Sequence, residues 1–231
     1  MTESPKKVPV PRAIPLVNPA IEAYLGNLLT HLDTPALIDM ESFAQKNNFP
    51  IVGRLAGSFI EIMATMVQAQ RVFEFGSGYG YSAYWFAKAV GPTGKVLCSE
   101  ADFLNRDRAQ QFLSTAELWE RIDFKVGMAQ ALFAETEGLF DICYNDVDKG
   151  DYPDIWQLCK DRIRPGGLYI ADNVLWRGRV AHEHSADVFP GWTQAIRAHN
   201  QMIFDDPEFD TLINPIRDGV LVARKKITSR E

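Results

Sequence analysis

Three stretches of this sequence carry residues whose types and spacing can do chemistry together. Residues 74–80 read Glu-Phe-Gly-Ser-Gly-Tyr-Gly. Glycines so spaced let a backbone approach a ligand closely while a strand turns into a helix. Glu100 follows Gly80 by twenty residues, where a strand-end acid can accept hydrogen bonds from both hydroxyls of a ribose. Loop and acid together describe a site for a nucleoside-containing cofactor. The spacing is GxGxG rather than the dinucleotide pattern GxGxxG, and Glu74 precedes the first glycine by two positions. Such a loop has no need to cradle a pyrophosphate. An acid beside it suits a ligand bearing an ammonium or sulfonium charge, which favours S-adenosylmethionine over a nicotinamide dinucleotide. Taken alone, the glycines also fit a tight strand-to-helix turn with no ligand.

The other two stretches are Tyr-Asn-Asp-Val-Asp-Lys at 144–149 and Tyr-Ile-Ala-Asp-Asn at 169–173. Each closes an apolar run, and in an open parallel sheet the carboxyl ends of strands line the ligand crevice. Asp146, Asp172 and Asn173 would then converge beside the cofactor. Two carboxylates and an amide oxygen are a hard, all-oxygen set suited to Mg²⁺, with Ca²⁺ or Mn²⁺ compatible. Lys149 lies three residues beyond Asp146, within reach of the same cleft. Either strand end alone reads equally as solvated loop carboxylates and a helix cap. Their shared sheet edge with the glycine loop and Glu100 is what favours a site.

The elements needed to hold these residues are legible. Asn18-Pro19 offers a helix start, and Ile21, Tyr24, Leu25, Leu28 and Leu29 recur at helical spacing after it. Further helices are expected over 35–46 and 53–67. Strands then alternate with helices: strands at 71–75, 95–99, 123–126, 140–145 and 167–171, helices at 82–90, 104–118, 152–163 and 192–203. This order implies a doubly wound α/β domain with a parallel sheet covered on both faces. Two final strands, 209–216 and 219–225, read as an antiparallel hairpin turning at Arg217-Asp218. Residues 1–17 hold four prolines and read as an extended arm ahead of one domain over 18–231.

Bulk properties exclude other classes. With 231 residues, 46% hydrophobic and 23% charged, the composition is that of a globular domain. A net charge of −6 argues against a large nucleic-acid interface. No apolar run approaches the roughly 20 residues of a membrane span, and the Lys- and Pro-rich start has no apolar signal core. Cys98, Cys143 and Cys159 are odd in number without CxxC spacing, so buried free thiols and a cytoplasmic setting are expected. His182 and His184 are read as a solvated rim loop, since the oxygen set already accounts for a metal. Trp176 serves equally as a wall for an aromatic substrate or as core. Tyr79, Tyr81, Tyr84 and Trp85 read as packing.

Residues 73–82 (FEFGSGYGYS), 140–152 (FDICYNDVDKGDY) and 164–180 (RPGGLYIADNVLWRGRV) resemble the cation-dependent O-methyltransferases related to catechol and caffeoyl-CoA O-methyltransferases, small bacterial members included. The last stretch is the most specific, and the resemblance runs from about residue 18 to 226, with the tail PIRDGVLVARKK also similar. It implies a Rossmann-like methyltransferase fold. It implies cofactor contacts at Val52, Glu74, Gly76, Ser82, Glu100, Ala129 and Asp146, metal ligation by Asp146, Asp172 and Asn173, and a catalytic base at Lys149. It also implies a homodimer and a small-molecule substrate with vicinal hydroxyls. Departures from the pattern are Met128 where an Asp is common, Asn145 for an apolar residue, and Arg217 for a Gly. With Met128, adenine recognition passes to backbone groups and Gln130. Competing readings are a tRNA hydroxyuridine methyltransferase of the same family, a non-catalytic S-adenosylmethionine-binding module, and a nicotinamide oxidoreductase. The acidic pI of about 5.3 counts against the first, the retained Lys149 and oxygen triad against the second, and the loop spacing against the third.

Overall fold

The structure, a computed structural model, describes residues 17–182 and 189–227. His184 and the arm, Val17 apart, lie outside the described residues. Three helices come first: α1 (Pro19–Leu28), α2 (Pro35–Asn47) and α3 (Gly53–Met66). The starts of α1 and α2 are set locally. The Asn18 side chain accepts a hydrogen bond from the Ala20 N–H, the Thr34 hydroxyl accepts one from the Leu37 N–H, and each helix opens on proline. The alternating part then runs β1 (Arg71–Phe75), α4 (Tyr81–Val90), β2 (Lys95–Glu100), α5 (Phe103–Thr115), β3 (Ile122–Val126), α6 (Ala129–Glu135), β4 (Phe140–Asn145), α7 (Tyr152–Cys159), β5 (Ile163–Ala171), α8 (Trp192–Phe204), β6 (Phe209–Asn214) and β7 (Val220–Lys225).

The seven strands form one sheet in the order β3-β2-β1-β4-β5-β7-β6. The first five pair in parallel, while β7 lies antiparallel between β5 and β6. The period-two alternation of the strands divides the core. Val72, Val96, Ile142 and Ile170 face α2–α5, and Phe73, Leu97, Cys143 and Tyr169 face α6–α8. Trp85 and Phe86 anchor one layer and Phe133 and Trp156 the other, all at most 1% exposed. Burial of each such phenylalanine contributes about 1.5–3 kcal/mol.

Some elements differ from expectation. Helix α6 has no counterpart in the sequence reading, being too short for periodicity to reveal. Helix α7 ends at Cys159, not at 163, because Ile163 pairs with Phe140 and already belongs to β5. Helix α5 stops at Thr115, ahead of Glu117 in the left-handed region at φ 58°. The apolar stripe of α1 is not covered: Ile21, Tyr24 and Leu28 are more than half exposed, as are Ile62 and Met66 of α3. All three cysteines are buried and free. No described helix is long and apolar enough to cross a membrane.

Candidate active site

Strand order reverses between β1 and β4, and in such sheets the crevice outside the strand ends at that point receives the ligand. A cleft of about 1340 Å³ lies there. Single-ligand pockets run to roughly 1,000 Å³, so this one has room for a cofactor and a second molecule. Val52, Gly76, Ser82, Glu100, Ala129 and Gln130 line it, and so do Asp146, Lys149, Asp172 and Asn173.

The glycine loop is built against the carboxylate strand end. Backbone bonds continue the sheet past its strands: the Asp146 N–H donates to Phe75 O (2.9 Å) and the Asp172 N–H to Asn145 O (3.1 Å). Gly76 sits at φ 81°, and a Cβ there would stand 2.7 Å from the Asp146 carbonyl oxygen. Only glycine allows this approach. Glu100 braces the loop from β2, accepting from the Gly78 N–H and the Asp102 N–H, both at 2.9 Å. Its carboxylate is thereby aimed at the cleft, where it can take ribose hydroxyls. Glu100→Ala should weaken S-adenosylmethionine binding about ten- to a hundredfold, the worth of a charge-assisted hydrogen bond. Unchanged affinity by calorimetry would rule out that role.

Glu74 is the one sequence candidate that does not line the cleft. Alternation along β1 puts it on the Val72 face, wholly buried beneath the start of α4, and neither carboxyl oxygen has a hydrogen-bond partner among the described residues. Burial pushes its pKa up to about 7, against the pull of the nearby Ser82 and Ser77 hydroxyls and the Cys98 thiol.

Asp172 is 3% exposed, and its Oδ1 has no partner among the described residues. Burial, and then the charge of Asp146, pushes its pKa up to about 7, while the Asn173 N–H, Lys149 and Arg217 pull it back. Asn173, beside it, takes the left-handed conformation at φ 56°. Among the described residues no three His, Cys, Asp or Glu side chains gather for a metal. The candidate set is instead two carboxylates and an amide, and the orphaned Asp172 oxygen suits a hard cation.

Lys149 is 7% exposed. Its Nζ donates to Asp146 Oδ1 (2.8 Å), Tyr152 OH (2.8 Å) and Val147 O (3.1 Å). Tyr152 OH donates in turn to Asp172 O (2.8 Å), and burial keeps it a neutral phenol. This tyrosine, which sequence reasoning passed over, ties the candidate base to the second carboxylate strand. A deeper set was also missed. Asn145 Nδ2 donates to Tyr169 OH (2.9 Å), which meets His199 Nε2 (2.9 Å); His199 Nδ1 contacts Asn200 Oδ1 (3.1 Å), and Asn200 Nδ2 donates to Val174 O (2.9 Å). The chain joins the residue before Asp146 to the residue after Asn173. Burial pushes the His199 pKa down to about 4, so the ring stays neutral. Nothing in the sequence marks His199, whose partner Tyr169 lies thirty residues away on β5.

At the far end of the cleft Trp176 and Trp192 stand 5.7 Å apart, and Phe189 stacks on Trp192 at 4.1 Å. Trp176, half-buried, and Trp192 line the cleft.

An O-methyltransferase family profile matches residues 30–226. A catechol O-methyltransferase of Niastella koreensis is 30% identical over 199 residues, 84% of this chain and 89% of that protein. A caffeoyl-CoA O-methyltransferase of Mesembryanthemum crystallinum is 26% identical over 178 residues, 73% and 70% of the two chains. Among solved structures, an O-methyltransferase from Bacillus cereus in complex with SAH superposes with a TM-score of 0.79 at 26% identity, covering 90% of this chain and 97% of its own. A methyltransferase from Geobacter sulfurreducens gives 0.76 at 27% identity, over 91% and 100%.

Proposed function

The chain belongs to the O-methyltransferase family, and on that premise we propose that it moves the methyl group of S-adenosylmethionine to one hydroxyl of a vicinal diol of catechol or caffeoyl type, with a divalent cation at Asp146, Asp172 and Asn173. The observation that carries the proposal is the Asp172 carboxylate, buried, without a partner on Oδ1, at the strand end beside Asp146. A buried carboxylate oxygen without a hydrogen-bond partner is costly, and Mg²⁺ is the partner this oxygen set suits best, Ca²⁺ or Mn²⁺ also fitting. The cation would supply Lewis acidity, easing deprotonation of a substrate hydroxyl.

The remaining work falls to the chain. Lys149 takes the proton. At rest its three hydrogens are committed to Asp146, Tyr152 and Val147, so it acts as base after releasing one of them to solvent. Asp146 and Tyr152 hold the amine toward the diol. Glu100 and the Gly76 loop place the methyl donor, and Trp176 bounds the aromatic ring. The substrate oxygen then bonds to the methyl carbon as the carbon–sulfur bond breaks, and a negative oxygen and a positive sulfur both become neutral. Most of the acceleration is therefore positioning.

Methyl-transfer assays with catechol, a caffeoyl ester and undermodified tRNA, each with and without EDTA, test this. Methylation of the diols that stops with EDTA is expected. Methylation of tRNA alone would replace the reading with an RNA-modifying one, and none at all would leave a binding module. We also propose a homodimer, since the exposed stripe of Ile21, Tyr24 and Leu28 beside Ile62 and Met66 is apolar surface that a second copy would cover. Light scattering at micromolar concentration should report twice the chain mass, and a monomer would exclude it.

A further inference from the structure

The charge around the cleft is uneven. Eight acidic side chains line it against three basic ones, Lys149, Arg177 and Arg217. Lys149 is spent on its own acceptors. The two arginines sit on two loops stitched to each other: the Val174 N–H donates to Gly219 O (3.1 Å), the Leu175 N–H to Asp218 O (2.9 Å), and the Arg177 N–H to the Asp218 carboxylate.

These loops are held in costly backbone. Of seven non-glycine residues with positive φ among the described residues, four lie on these loops: Asn173 (56°), Trp176 (46°), Arg177 (53°) and Arg217 (50°). Left-handed backbone at non-glycine residues persists where surrounding structure enforces it, and such positions gather at functional sites. A glycine would adopt the Arg217 conformation freely.

Arg217 reaches across the cleft. Its Nη1 donates to Ile51 O (2.7 Å), and a Cβ on Gly53 would lie 3.6 Å from its guanidinium carbon. One of its five N–H groups is thereby used. The Arg177 side chain has no hydrogen bond among the described residues. Asp218 is a counter-charge near both arginines, with one oxygen taken by the Arg177 N–H, and Arg217 is also within electrostatic reach of Asp172. Elsewhere in the cleft an anionic substituent would meet acids.

We propose that Arg217, with Arg177, is a specificity determinant that selects diol substrates bearing a carboxylate on the aromatic ring or its side chain. The hydroxyls face the oxygen triad, the ring lies along Trp176, and the carboxylate meets the guanidinium groups, which favour it as a charge-assisted pair. The proposal rests on the methyl-transfer reading above.

Its test compares kcat/KM for 3,4-dihydroxybenzoate and for uncharged catechol, with Mg²⁺ and S-adenosylmethionine, in the wild type, Arg217→Gly and Arg177→Gln. The wild type should favour the acid. Arg217→Gly, which relieves the positive φ, should lower the acid-to-catechol ratio about 10- to 100-fold, chiefly through KM, as expected for a lost charge-assisted contact. Arg177→Gln should lower it less, and Arg217→Lys should restore part of it. A ratio unmoved by both Arg217→Gly and Arg177→Gln overturns the proposal while methylation of catechol leaves the methyl-transfer reading standing. A wild type that methylates neither diol overturns both.

Discussion

Asp172→Ala should abolish methyl transfer while leaving S-adenosylmethionine affinity close to that of the wild type. Asp172 closes β5 on the side of the triad away from the glycine loop, whereas Asp146 is bonded through its own N–H to Phe75 at the root of that loop. Loss of Asp172 removes one carboxylate of the proposed cation seat and leaves the Glu100 brace intact. The folded state should tolerate the change. The Asp172 Oδ1 makes no bond that alanine would break, and its carbonyl and N–H, which hold Tyr152 and Asn145, belong to the backbone. Calorimetry with Mg²⁺ and with the cofactor, run beside turnover, separates the roles. Asp146→Ala should damage both binding and turnover. Full turnover by Asp172→Ala, or by enzyme stripped of metal with EDTA, would refute the cation mechanism.

Lys149→Ala should lower turnover by about 10² to 10⁴, the usual worth of a positioned acid–base group, with cofactor affinity unchanged. Affinity for the divalent cation should hold or rise, because a positive charge 2.8 Å from Asp146 Oδ1 is gone. Activity should return in part at high pH, where the substrate hydroxyl ionises unaided. Lys149→Arg sharpens the test. A guanidinium keeps the charge but cannot give up its proton in a protein, so Arg should be nearly as inactive as Ala if Lys149 is the base. Near-normal turnover in Lys149→Arg would assign it an electrostatic role only, and in Lys149→Ala would make it a rim residue.

Much of this was legible in the chain because it depends on local spacing. Strands of four to six residues alternating with helices dictated a covered parallel sheet, and the closing pair read at 209–216 and 219–225, found at Phe209–Asn214 and Val220–Lys225, announced its antiparallel edge. The glycines at 76, 78 and 80 and the acids ending three strands could be picked out because a parallel sheet sends all strand ends to one edge. Short helix α6 and the early end of α7 escaped, since a seven-residue helix shows no clear period and β-pairing of Ile163 overrides the helical pattern before it.

The arrangement within the site was a different matter. Sequence alone determined which residue types reach the cleft edge: Gly76, Glu100, Asp146, Lys149, Asp172 and Asn173 all line it. It also offered Glu74 as a charge partner for the cofactor, and only the pleat of β1 decided that this carboxyl turns into the layer beneath α4. Tyr152 as the link from Lys149 to β5, the buried run from Asn145 through Tyr169 to His199, and the reach of Arg217 to Ile51 across 166 residues were likewise decided by the tertiary structure. The physical reason is range. Helix caps, strand alternation and glycine turns are set by neighbours a few residues away, whereas a buried hydrogen bond is specified by both partners and by the packing that excludes water from them.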